Sequence, residues 1–264
     1  MQTVSVVTIS YNNKVGLEQT IPSVAIQTYP NIEYIIVDGG SSDGSVDVIK
    51  KYANKVSYWV SEPDKGIYNA MNKALKKTTG DYLLFLNSGD YFCSADVLSL
   101  IFKDEHHADL LIGRQKFISA NGKVGISPKL HADEIDMEYF LSSTLPHQAT
   151  FIKRSLLCER GGYDESYRIC ADWVFWIQAV VEHKCSIEIL PQAISYMDNG
   201  GISSDMDKCH QDMSRFLQVC LDRKLLTWDM ILATAQKARV HDLCIRSKGL
   251  KFANKVLAWI GRRI

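Results

Sequence analysis

The first hundred residues alternate between nearly continuous apolar runs and segments whose apolar residues recur at helical spacing. Four apolar runs predict buried β-strands, at residues 4–10, 33–38, 56–60 and 82–86. Two segments between them read as helices, residues 45–52 and residues 67–75. Strands that are buried on both faces and alternate with helices predict an α/β fold, with a mixed, mainly parallel sheet flanked by helices.

The pattern is less regular in the middle of the chain and then becomes helical only. Further strands are predicted at residues 108–118, 150–152, 186–190 and 193–196, and after a tight turn at Asn121-Gly122. Further helices are predicted at residues 134–141 and 172–181. After about residue 205 only amphipathic helical stripes remain. We therefore predict one domain over residues 1–204 and a C-terminal helical extension over residues 205–264.

Composition narrows the class of protein. Thirty basic residues balance thirty acidic ones among 264, which gives no reason to expect nucleic acid as a partner. The seven cysteines are scattered and form no C-x-x-C pair, so we expect reduced thiols in a cytoplasmic protein. No signal peptide precedes the first strand, and no apolar run approaches the roughly 20 residues that span a bilayer. We therefore expect a protein that is neither secreted by that route nor membrane-spanning.

The end of the chain has a charge pattern of its own. From Leu243 onward no residue is acidic, six are basic, and apolar residues recur at helical spacing. A basic amphipathic helix favours peripheral attachment to an anionic surface, here the inner face of the cytoplasmic membrane. Packing of this helix on the domain or on a second subunit is the alternative. The sequence therefore does not decide the oligomeric state, and a homodimer is one of the alternatives.

An acidic turn follows the strand predicted at residues 82–86, with the sequence Asn87-Ser88-Gly89-Asp90. In open α/β sheets, ligands bind at the carboxyl ends of the strands. Carboxylate oxygens suit hard cations such as Mg²⁺ or Mn²⁺, which keep several waters and are completed by ligand phosphates. We predict Asp90 as the metal ligand and Asn87 as a supporting hydrogen-bonding residue. An ordinary polar turn is the alternative.

A Gly-rich loop, residues 38–44, lies between a strand and a helix, as a phosphate-binding loop would. It is neither G-x-G-x-x-G nor a P-loop, so a dinucleotide site is disfavoured. Asp38 at its start is suited to accept hydrogen bonds from a base or a ribose. Four polar residues leave the neighbouring strand at the same sheet edge: Thr8, Ser10, Tyr11 and Asn12.

Two further segments carry candidate chemistry. Asp64 and Lys65 precede the helix of residues 67–75, where Lys65 would pair with a phosphate, or where Asp64 would simply favour the helix start. Asp172, beside Trp173 at the start of an aromatic-rich helix, is either a general base or a helix cap. His147 and Gln148 add an imidazole and an amide, although a single histidine is more often structural than catalytic.

Together these motifs resemble the bacterial family 2 glycosyltransferases with the GT-A nucleotide-diphospho-sugar transferase fold, over about residues 3–200. Residues 6–12 resemble the first strand and nucleotide loop of that family, and residues 37–45 resemble its V-D-D-G-S-x-D motif. Residues 87–90 stand at the metal-binding D-x-D, and Ala171-Asp172-Trp173 stands at the E-D motif, whose aspartate is the catalytic base. Residues 146–148 and 199–203 resemble the subset that builds O-antigen and exopolysaccharide repeats.

The sequence departs from the family pattern at several positions. Gly39 replaces the usual second aspartate, and Asn87 and Gly89 leave Asp90 as the one carboxylate of the D-x-D. Met71 stands where many members have an arginine that approaches the diphosphate. Lys65 would supply some of the missing positive charge.

The resemblance implies an inverting transfer from a nucleotide sugar, most readily a UDP-sugar, to a hydroxyl of a lipid-linked or saccharide acceptor. Asp172 would take the hydroxyl proton, and a divalent cation, Mn²⁺ or Mg²⁺, would lie on Asp90. Residues 1–204 would form the GT-A catalytic domain. The implied donor contacts are Thr8, Ser10, Tyr11, Asn12, Asp38, Asp64, Lys65, Asn87, Ser88 and Gly89. The implied sugar or acceptor contacts are His147, Gln148 and Trp173. A sugar nucleotidyltransferase and an inactive nucleotide-sugar-binding scaffold are the alternatives.

Overall fold

The computed structural model describes residues 1–119, 122–198, 206–227 and 229–234. Within this part of the chain, nine strands form a single mixed sheet. The strands are β1 (Val4–Ser10), β2 (Ile32–Asp38), β3 (Tyr58–Ser61), β4 (Tyr82–Phe85), β5 (Tyr91–Phe92), β6 (Leu110–Ile118), β7 (Val124–Ile126), β8 (Thr150–Lys153) and β9 (Ile187–Met197). Their order is β3-β2-β1-β4-β8-β6-β9-β5, and β7 pairs with β6.

The half of the sheet built from β1 to β4 is parallel, and its register aligns the carboxyl ends of the strands. Ser10 at the end of β1 pairs with Asp38 at the end of β2, and Asp38 pairs with Ser61 at the end of β3. The loops that follow these strands therefore leave the sheet at one edge. In the other half, β8 is antiparallel to β4 and β6, whereas β9 is parallel to β6.

Helices cover both faces of the sheet. They are α1 (Lys14–Ala25), α2 (Ser45–Lys51), α3 (Ile67–Leu75), α4 (Val97–Ile101), α5 (Met137–Phe140), α6 (Arg154–Glu159), α7 (Ala171–Ile177) and α8 (Met206–Asp222). α7 continues as a π-helical segment, Gln178–Glu182. Among the described helices, none combines the length and the apolar character that crossing a lipid bilayer requires.

Two apolar cores lie on opposite faces of the sheet, because successive residues of a strand point to opposite faces. Val7 and Ile9 of β1 belong to the core beneath α3, α5, α7 and α8. Val4 and Val6 belong to the core beneath α1, α2 and α4. The nearly continuous apolar strands are thus explained by burial on both faces, and the predicted α/β class is confirmed.

The C-terminal part of the described chain packs on this domain. Phe216, Leu217 and Cys220 of α8 lie in the same core as α7. Residues 235–264, which include the basic amphipathic tail, lie outside the described residues. The division at residue 204 stays a prediction.

The local predictions differ from the structure at several places, including the following. The helix α1 was not predicted, because Pro22 lies within it and its buried side includes Gly16 and Thr20 instead of a plain apolar stripe. The strands expected at 186–190 and 193–196 are one strand, β9, in which register shifts opposite β6 accommodate Pro191, a residue with no N–H to donate. The helix expected at 134–141 is a 3₁₀ turn followed by the short α5.

Candidate active site

The loops after β1 and β2 are joined by hydrogen bonds at the carboxyl edge of the sheet. The Asn12 N–H donates to Ser41 Oγ at 2.7 Å, and Asn12 Oδ1 accepts from the Ser42 N–H at 2.9 Å. The Lys14 N–H donates to Asp43 Oδ2 at 2.9 Å. Asn12 has a φ of 47°, a left-handed conformation that asparagine tolerates better than most residues. The two predicted nucleotide loops therefore form one surface.

Asp38 organises the Gly-rich loop from within. Its carboxylate is fully buried and accepts hydrogen bonds from the N–H groups of Gly40 and Ser41 and from two hydroxyls, Ser41 Oγ at 2.5 Å and Ser61 Oγ at 2.6 Å. Asp38 therefore stabilises the backbone conformation of the loop, in addition to the nucleoside contact that is predicted for it.

Gly39 leaves room for a carboxylate from another segment. A Cβ at position 39 would lie 2.5 Å from Asp64 Oδ2 and 3.1 Å from the ring of Tyr11. Asp64 therefore occupies the volume that a side chain at position 39 would need. This explains structurally why glycine replaces the second aspartate of the motif. The ring of Tyr11 is 66% exposed beside it. Tyr11, Asn12 and Asp64 thus converge on one exposed hollow.

Two residues of β1 that are predicted to contact the donor, Thr8 and Ser10, are buried. They differ in the hydrogen bonds that their hydroxyls make. The Thr8 hydroxyl donates to the Leu86 carbonyl at 2.8 Å and lies 3.0 Å from Tyr34 Oη, with no exposed surface. The Thr8 side chain therefore points into the core, and the predicted contact of Thr8 with the donor stays a prediction. Ser10 Oγ is also buried, yet it has no hydrogen-bond partner among the described residues, which is costly unless a ligand supplies one.

Thr20 of α1 and Asn13, the N-cap residue of that helix, hold the turn of residues 87–90 in place through hydrogen bonds. Thr20 Oγ1 accepts from the Gly89 N–H at 2.9 Å and donates to the Asp90 carbonyl at 2.7 Å, while Asn13 Nδ2 donates to the Ser88 carbonyl at 2.9 Å. Gly89 has a φ of 106°, which strongly favours glycine. The backbone of the turn, and not metal binding, therefore accounts for glycine at this position.

The Asp90 side chain is also buried, with 6% of the residue's surface exposed. Its Oδ1 accepts from the Asp198 N–H at 2.9 Å, and its Oδ2 lies 3.9 Å from His147 Nε2. Burial raises the pKa of Asp90 to about 6, although the His147 charge and the Asp198 N–H oppose the shift. Asp198 was missed by the sequence reasoning. The signal was available, because Asp198 follows the apolar strand β9 as Asp38 and Asp90 follow theirs.

Asp172 lies in the first turn of α7, with its carboxylate held in a defined orientation. Its Oδ1 accepts from Tyr68 Oη at 2.7 Å and from the Trp173 N–H at 2.9 Å. The N-cap residue of α7 is Cys170, so Asp172 is not the cap. Burial, together with the Asp172 charge, raises the pKa of Tyr68 well above its usual value, so Tyr68 stays a hydrogen-bond donor. Tyr68 is a second residue of the site that sequence reasoning did not assign.

His147 joins the two acidic positions. Its Nε2 lies 3.9 Å from Asp90 Oδ2, and its Nδ1 lies 3.7 Å from Asp172 Oδ2. Asn87 Nδ2 lies 3.3 Å from the same Nε2. The metal-binding candidate and the general-base candidate therefore face one half-buried imidazole in one cleft.

Two residues predicted to lie on the acceptor side, Trp173 and Gln148, point their side chains into the core, and their contacts with sugar or acceptor stay predictions. The indole of Trp173 is 3% exposed, donates to the Phe140 carbonyl at 3.0 Å and packs edge-on against Phe216. Gln148 is 2% exposed and donates to Gln115 Oε1 at 2.6 Å. Met71, at the position of the family's arginine, is buried in the core.

Lys65 is exposed at the start of α3, near Glu165. Hydrogen bonds from Asn72 and Asn69, with the charge of Lys65, hold the pKa of the Glu165 carboxyl below its usual value. The backbone N–H of Lys65 donates to Asn69 Oδ1 at 3.2 Å. The proposed phosphate contact of Lys65 stays a prediction.

The residues at the 87–90 turn fit a divalent cation that arrives with a diphosphate. In the described ranges, no group of three or more His, Cys, Asp or Glu side chains is arranged to hold a metal ion by itself. Mg²⁺ or Mn²⁺ needs only one or two protein carboxylates when phosphates and waters complete the set. Asp90 supplies a buried carboxylate, and Asn87 Oδ1 is a buried oxygen without a hydrogen-bond partner among the described residues.

With this geometry established, comparison with known proteins identifies the class. The model of glycosyl transferase family 2 matches residues 5–159, and the chain belongs to this family. It is 34% identical over 211 residues to an uncharacterized glycosyltransferase of Mycobacterium tuberculosis (strain CDC 1551 / Oshkosh), covering 76% of this chain and 77% of the relative. It is 31% identical over 207 residues to the PGL/p-HBAD biosynthesis glycosyltransferase of Mycobacterium bovis (strain BCG / Pasteur 1173P2), covering 76% and 78%.

Solved structures share the fold at lower identity. Staphylococcus aureus TarS 1–349 in complex with UDP superposes with a TM-score of 0.67 at 23% identity, over 94% of this chain and 74% of that chain. The mannosyltransferase PcManGT from Pyrobaculum calidifontis, in complex with GDP-Man and Mn²⁺, superposes with a TM-score of 0.64 at 16% identity, over 99% and 75%. The expectation of a GT-A fold is confirmed.

Proposed function

We propose that this family 2 glycosyltransferase is an inverting enzyme that moves a sugar, a hexose, from a UDP-sugar to a hydroxyl of an acceptor. The observation that carries the proposal is the position of His147 between Asp90 and Asp172, with contacts of 3.9 and 3.7 Å. This arrangement provides a place for the diphosphate and a place for a base in the same cleft.

The nucleoside would lie in the hollow formed by Tyr11, Asn12 and Asp64, with Ser10 and Asp38 beneath it. The exposed ring of Tyr11 offers a stacking surface, and the Asp64 carboxylate offers an acceptor for a base or ribose N–H or O–H. The UDP complex of TarS, a protein of the same fold, supports uridine as the nucleoside. Asn87, Ser88, Gly89 and Lys65 would line the path of the diphosphate.

Asp172 is the proposed general base. Tyr68 and the Trp173 N–H hold Oδ1, so Oδ2 is left facing the cleft beside His147, where it can accept the proton of an acceptor hydroxyl. Asp90, with Asn87 and Asp198 nearby, would hold Mn²⁺ or Mg²⁺. When bound, the cation would offset the negative charge that develops on the leaving diphosphate.

The proposed acceptor is lipid-linked or a saccharide, in the synthesis of a surface polysaccharide such as O-antigen or exopolysaccharide. The name of the Mycobacterium bovis relative, a PGL/p-HBAD biosynthesis glycosyltransferase, supports a glycan of the cell surface in general terms. A cytoplasmic enzyme at the inner face of the membrane, attached through the basic residues beyond Leu243, would suit such an acceptor. Those residues lie outside the part of the chain that the structure describes.

The proposal is tested by calorimetry of the full chain with UDP-, GDP- and dTDP-sugars and Mn²⁺, followed by assay of donor hydrolysis and transfer. We expect UDP-sugars to bind and to be consumed. Asp172→Asn should keep donor affinity and lower turnover by roughly 100-fold or more, because it removes a general base but not a donor contact.

Other results would contradict the proposal in distinct ways. Near-normal turnover of Asp172→Asn would exclude Asp172 as the base. Donor binding without hydrolysis or transfer to any acceptor would indicate an inactive scaffold. Release of pyrophosphate from a sugar phosphate and UTP would indicate a nucleotidyltransferase.

A further inference from the structure

A row of side chains crosses four adjacent strands beside the cleft. Tyr91 of β5 pairs with Tyr196 of β9, Tyr196 pairs with Lys116 of β6, and Lys116 pairs with Ile126 of β7. Directly paired residues of neighbouring strands stand side by side on one face of a sheet. With neighbouring strands about 4.8 Å apart, this row, which we call the acceptor row, spans about 14 Å.

The first part of the acceptor row is aromatic and cationic. The rings of Tyr91 and Tyr196 stack with their centroids 4.9 Å apart, and Lys116 Nζ lies 5.3 Å from the Tyr196 centroid. Within the described ranges, Lys116 has no ion pair with a carboxylate, and the hydroxyls of Tyr91 and Tyr196 have no hydrogen bond. Two hydroxyl donors and one ammonium group are therefore aligned without a negative partner, as an anionic phosphate would require.

The acceptor row ends at Ile126, which lies in an exposed apolar patch with Val124 and Ile118. Val124 and Ile126 are 58% and 41% exposed, and Ile118, which pairs with Val124, is 46% exposed. These side chains share one face because residues two apart in a strand point the same way. On the opposite face Phe117 packs on Gly125, where a Cβ would lie 2.4 Å from the ring. Grouped exposed apolar residues mark a binding surface more often than scattered ones do.

The acceptor row is continuous with the cleft. Tyr91 directly follows Asp90, and Asp198, two residues beyond Tyr196, donates its N–H to the Asp90 carboxylate. A ligand lying along the row would therefore place one end beside Asp90 and extend over Lys116 towards β7. The order of chemistries along the row, from the cleft outward, is aromatic hydroxyl, cation and apolar surface.

We propose that the acceptor row is the docking surface for a lipid phosphate acceptor. Its hydrocarbon chain would cover Val124, Ile126 and Ile118, and its phosphate would bind Lys116 and the two phenols. A hydroxyl-bearing group esterified to the other side of that phosphate would reach the cleft and present the hydroxyl that accepts the sugar. This inference rests on the proposed transferase function and names its acceptor class. A water-soluble saccharide would leave the apolar face of β7 exposed, and an apolar face of a protein partner would leave Lys116 unpaired.

The test uses the full chain and three probes: dodecyl phosphate below its micelle concentration, inorganic phosphate, and dodecyl maltoside. Calorimetry should show that dodecyl phosphate binds more tightly than either of the other two, because it alone combines both chemistries. Lys116→Ala and the double variant Val124→Ser/Ile126→Ser should each weaken dodecyl phosphate at least tenfold. Both should bind UDP with Mn²⁺ as the wild type does, since neither change touches the proposed donor contacts.

A matched control uses exposed apolar residues elsewhere. Ile26→Ser/Leu100→Ser replaces two side chains that are 61% and 47% exposed and lie outside the row. This variant should bind dodecyl phosphate normally.

The inference would be overturned if the row variants bound dodecyl phosphate as tightly as the control, or if dodecyl maltoside bound the wild type equally well. A change of the double variant from dimer to monomer in sedimentation, with unchanged dodecyl phosphate binding, would instead indicate an interface between two copies of the chain and would also overturn it. Failure of the wild type to bind UDP with Mn²⁺ would contradict the proposed function itself. The two failures are therefore distinguishable.

Discussion

The hydroxyl of Tyr68 lies 2.7 Å from Oδ1 of Asp172, although the two residues are 104 positions apart in the chain. The same hydroxyl lies 2.6 Å from the Ile169 carbonyl oxygen, and it has a single proton to share between the two acceptors. Helix α3, whose start lies beside the proposed donor site, thereby contacts the first turn of helix α7, which carries the proposed base. Tyr68 is a positioning residue, since it acts on the proposed chemistry through Asp172.

Replacing Tyr68 tests this relationship. Tyr68→Phe should lower kcat about 10-fold while leaving the donor KM unchanged, because hydrogen bonds to charged groups contribute about 1.5–3 kcal/mol and orient the carboxylate. Steady-state kinetics with a UDP-sugar would measure kcat and the donor KM separately. The matched control is Tyr34→Phe, which removes an equally buried hydroxyl that contacts Thr8 at 3.0 Å, outside the cleft. The positioning role would be refuted if both variants lost stability and kcat to the same extent.

Asp90 should make stability depend on pH. Its pKa is raised to about 6 by burial, so its contribution to stability is present below about 3.8 and is lost as the pH rises through about 6. The expected loss is about 3 kcal/mol. In Asp90→Asn this loss is absent, so the variant should be the more stable protein at pH 8 by up to that amount and should match the wild type near pH 4.

Urea denaturation of both proteins between pH 4 and pH 8 would measure this difference. A stability difference that stays constant over the range would show that Asp90 is not the titrating group. The same variant should lose the stabilisation that UDP with Mn²⁺ gives the wild type, because the carboxylate that would hold the cation is gone. Stabilisation by Mn²⁺ and UDP that persists in Asp90→Asn would exclude Asp90 as a metal ligand.

Gly39 and Asp64 should act as a pair. Gly39→Ala places a Cβ 2.5 Å from Asp64 Oδ2 and 3.1 Å from the Tyr11 ring, so it should displace both and weaken UDP binding by roughly tenfold. Gly39 does not have a positive φ, so the backbone tolerates alanine and the free energy of unfolding should change little. Calorimetry with UDP, alongside thermal unfolding, would measure both effects.

A second variant separates the clash from the charge. Asp64→Asn keeps the volume beside Gly39 but removes the negative charge, so any loss of UDP affinity reports on the carboxylate itself. Unchanged affinity in both Gly39→Ala and Asp64→Asn would place the nucleoside elsewhere.

Part of this site could be predicted from the chain, because its acidic residues obey a local rule. Asp38 and Asp90 each follow an apolar strand, and residues in that position reach the carboxyl edge of the sheet whatever the rest of the fold does. The strands themselves and α3 were predictable for a similar reason, since a continuous apolar run and a 3.6-residue apolar stripe are properties of short segments.

The direction of individual side chains could not be predicted in this way. Thr8, Gln148 and Trp173 stand within or beside the motifs, yet all three point into the core, where Leu86, Gln115 and Phe140 supply their hydrogen-bond partners. Moving one residue along a strand turns the side chain to the opposite face of the sheet, and moving one residue along a helix turns it by about 100°. Adjacent residues can therefore differ in whether their side chains face the cleft or the core. Which of the two applies depends on what packs above the segment.

The amino-acid sequence by itself determined the α/β class, the edge of the sheet that carries the polar loops, and the two carboxylates proposed for metal and base, because each follows from the chemistry of a short segment. Only the tertiary structure decided that His147 lies between Asp90 and Asp172, that Tyr68 orients Asp172, and that Asp64 fills the space beside Gly39. Those relationships join residues from separate elements, and their distances are set by how strands and helices pack, which no local pattern encodes.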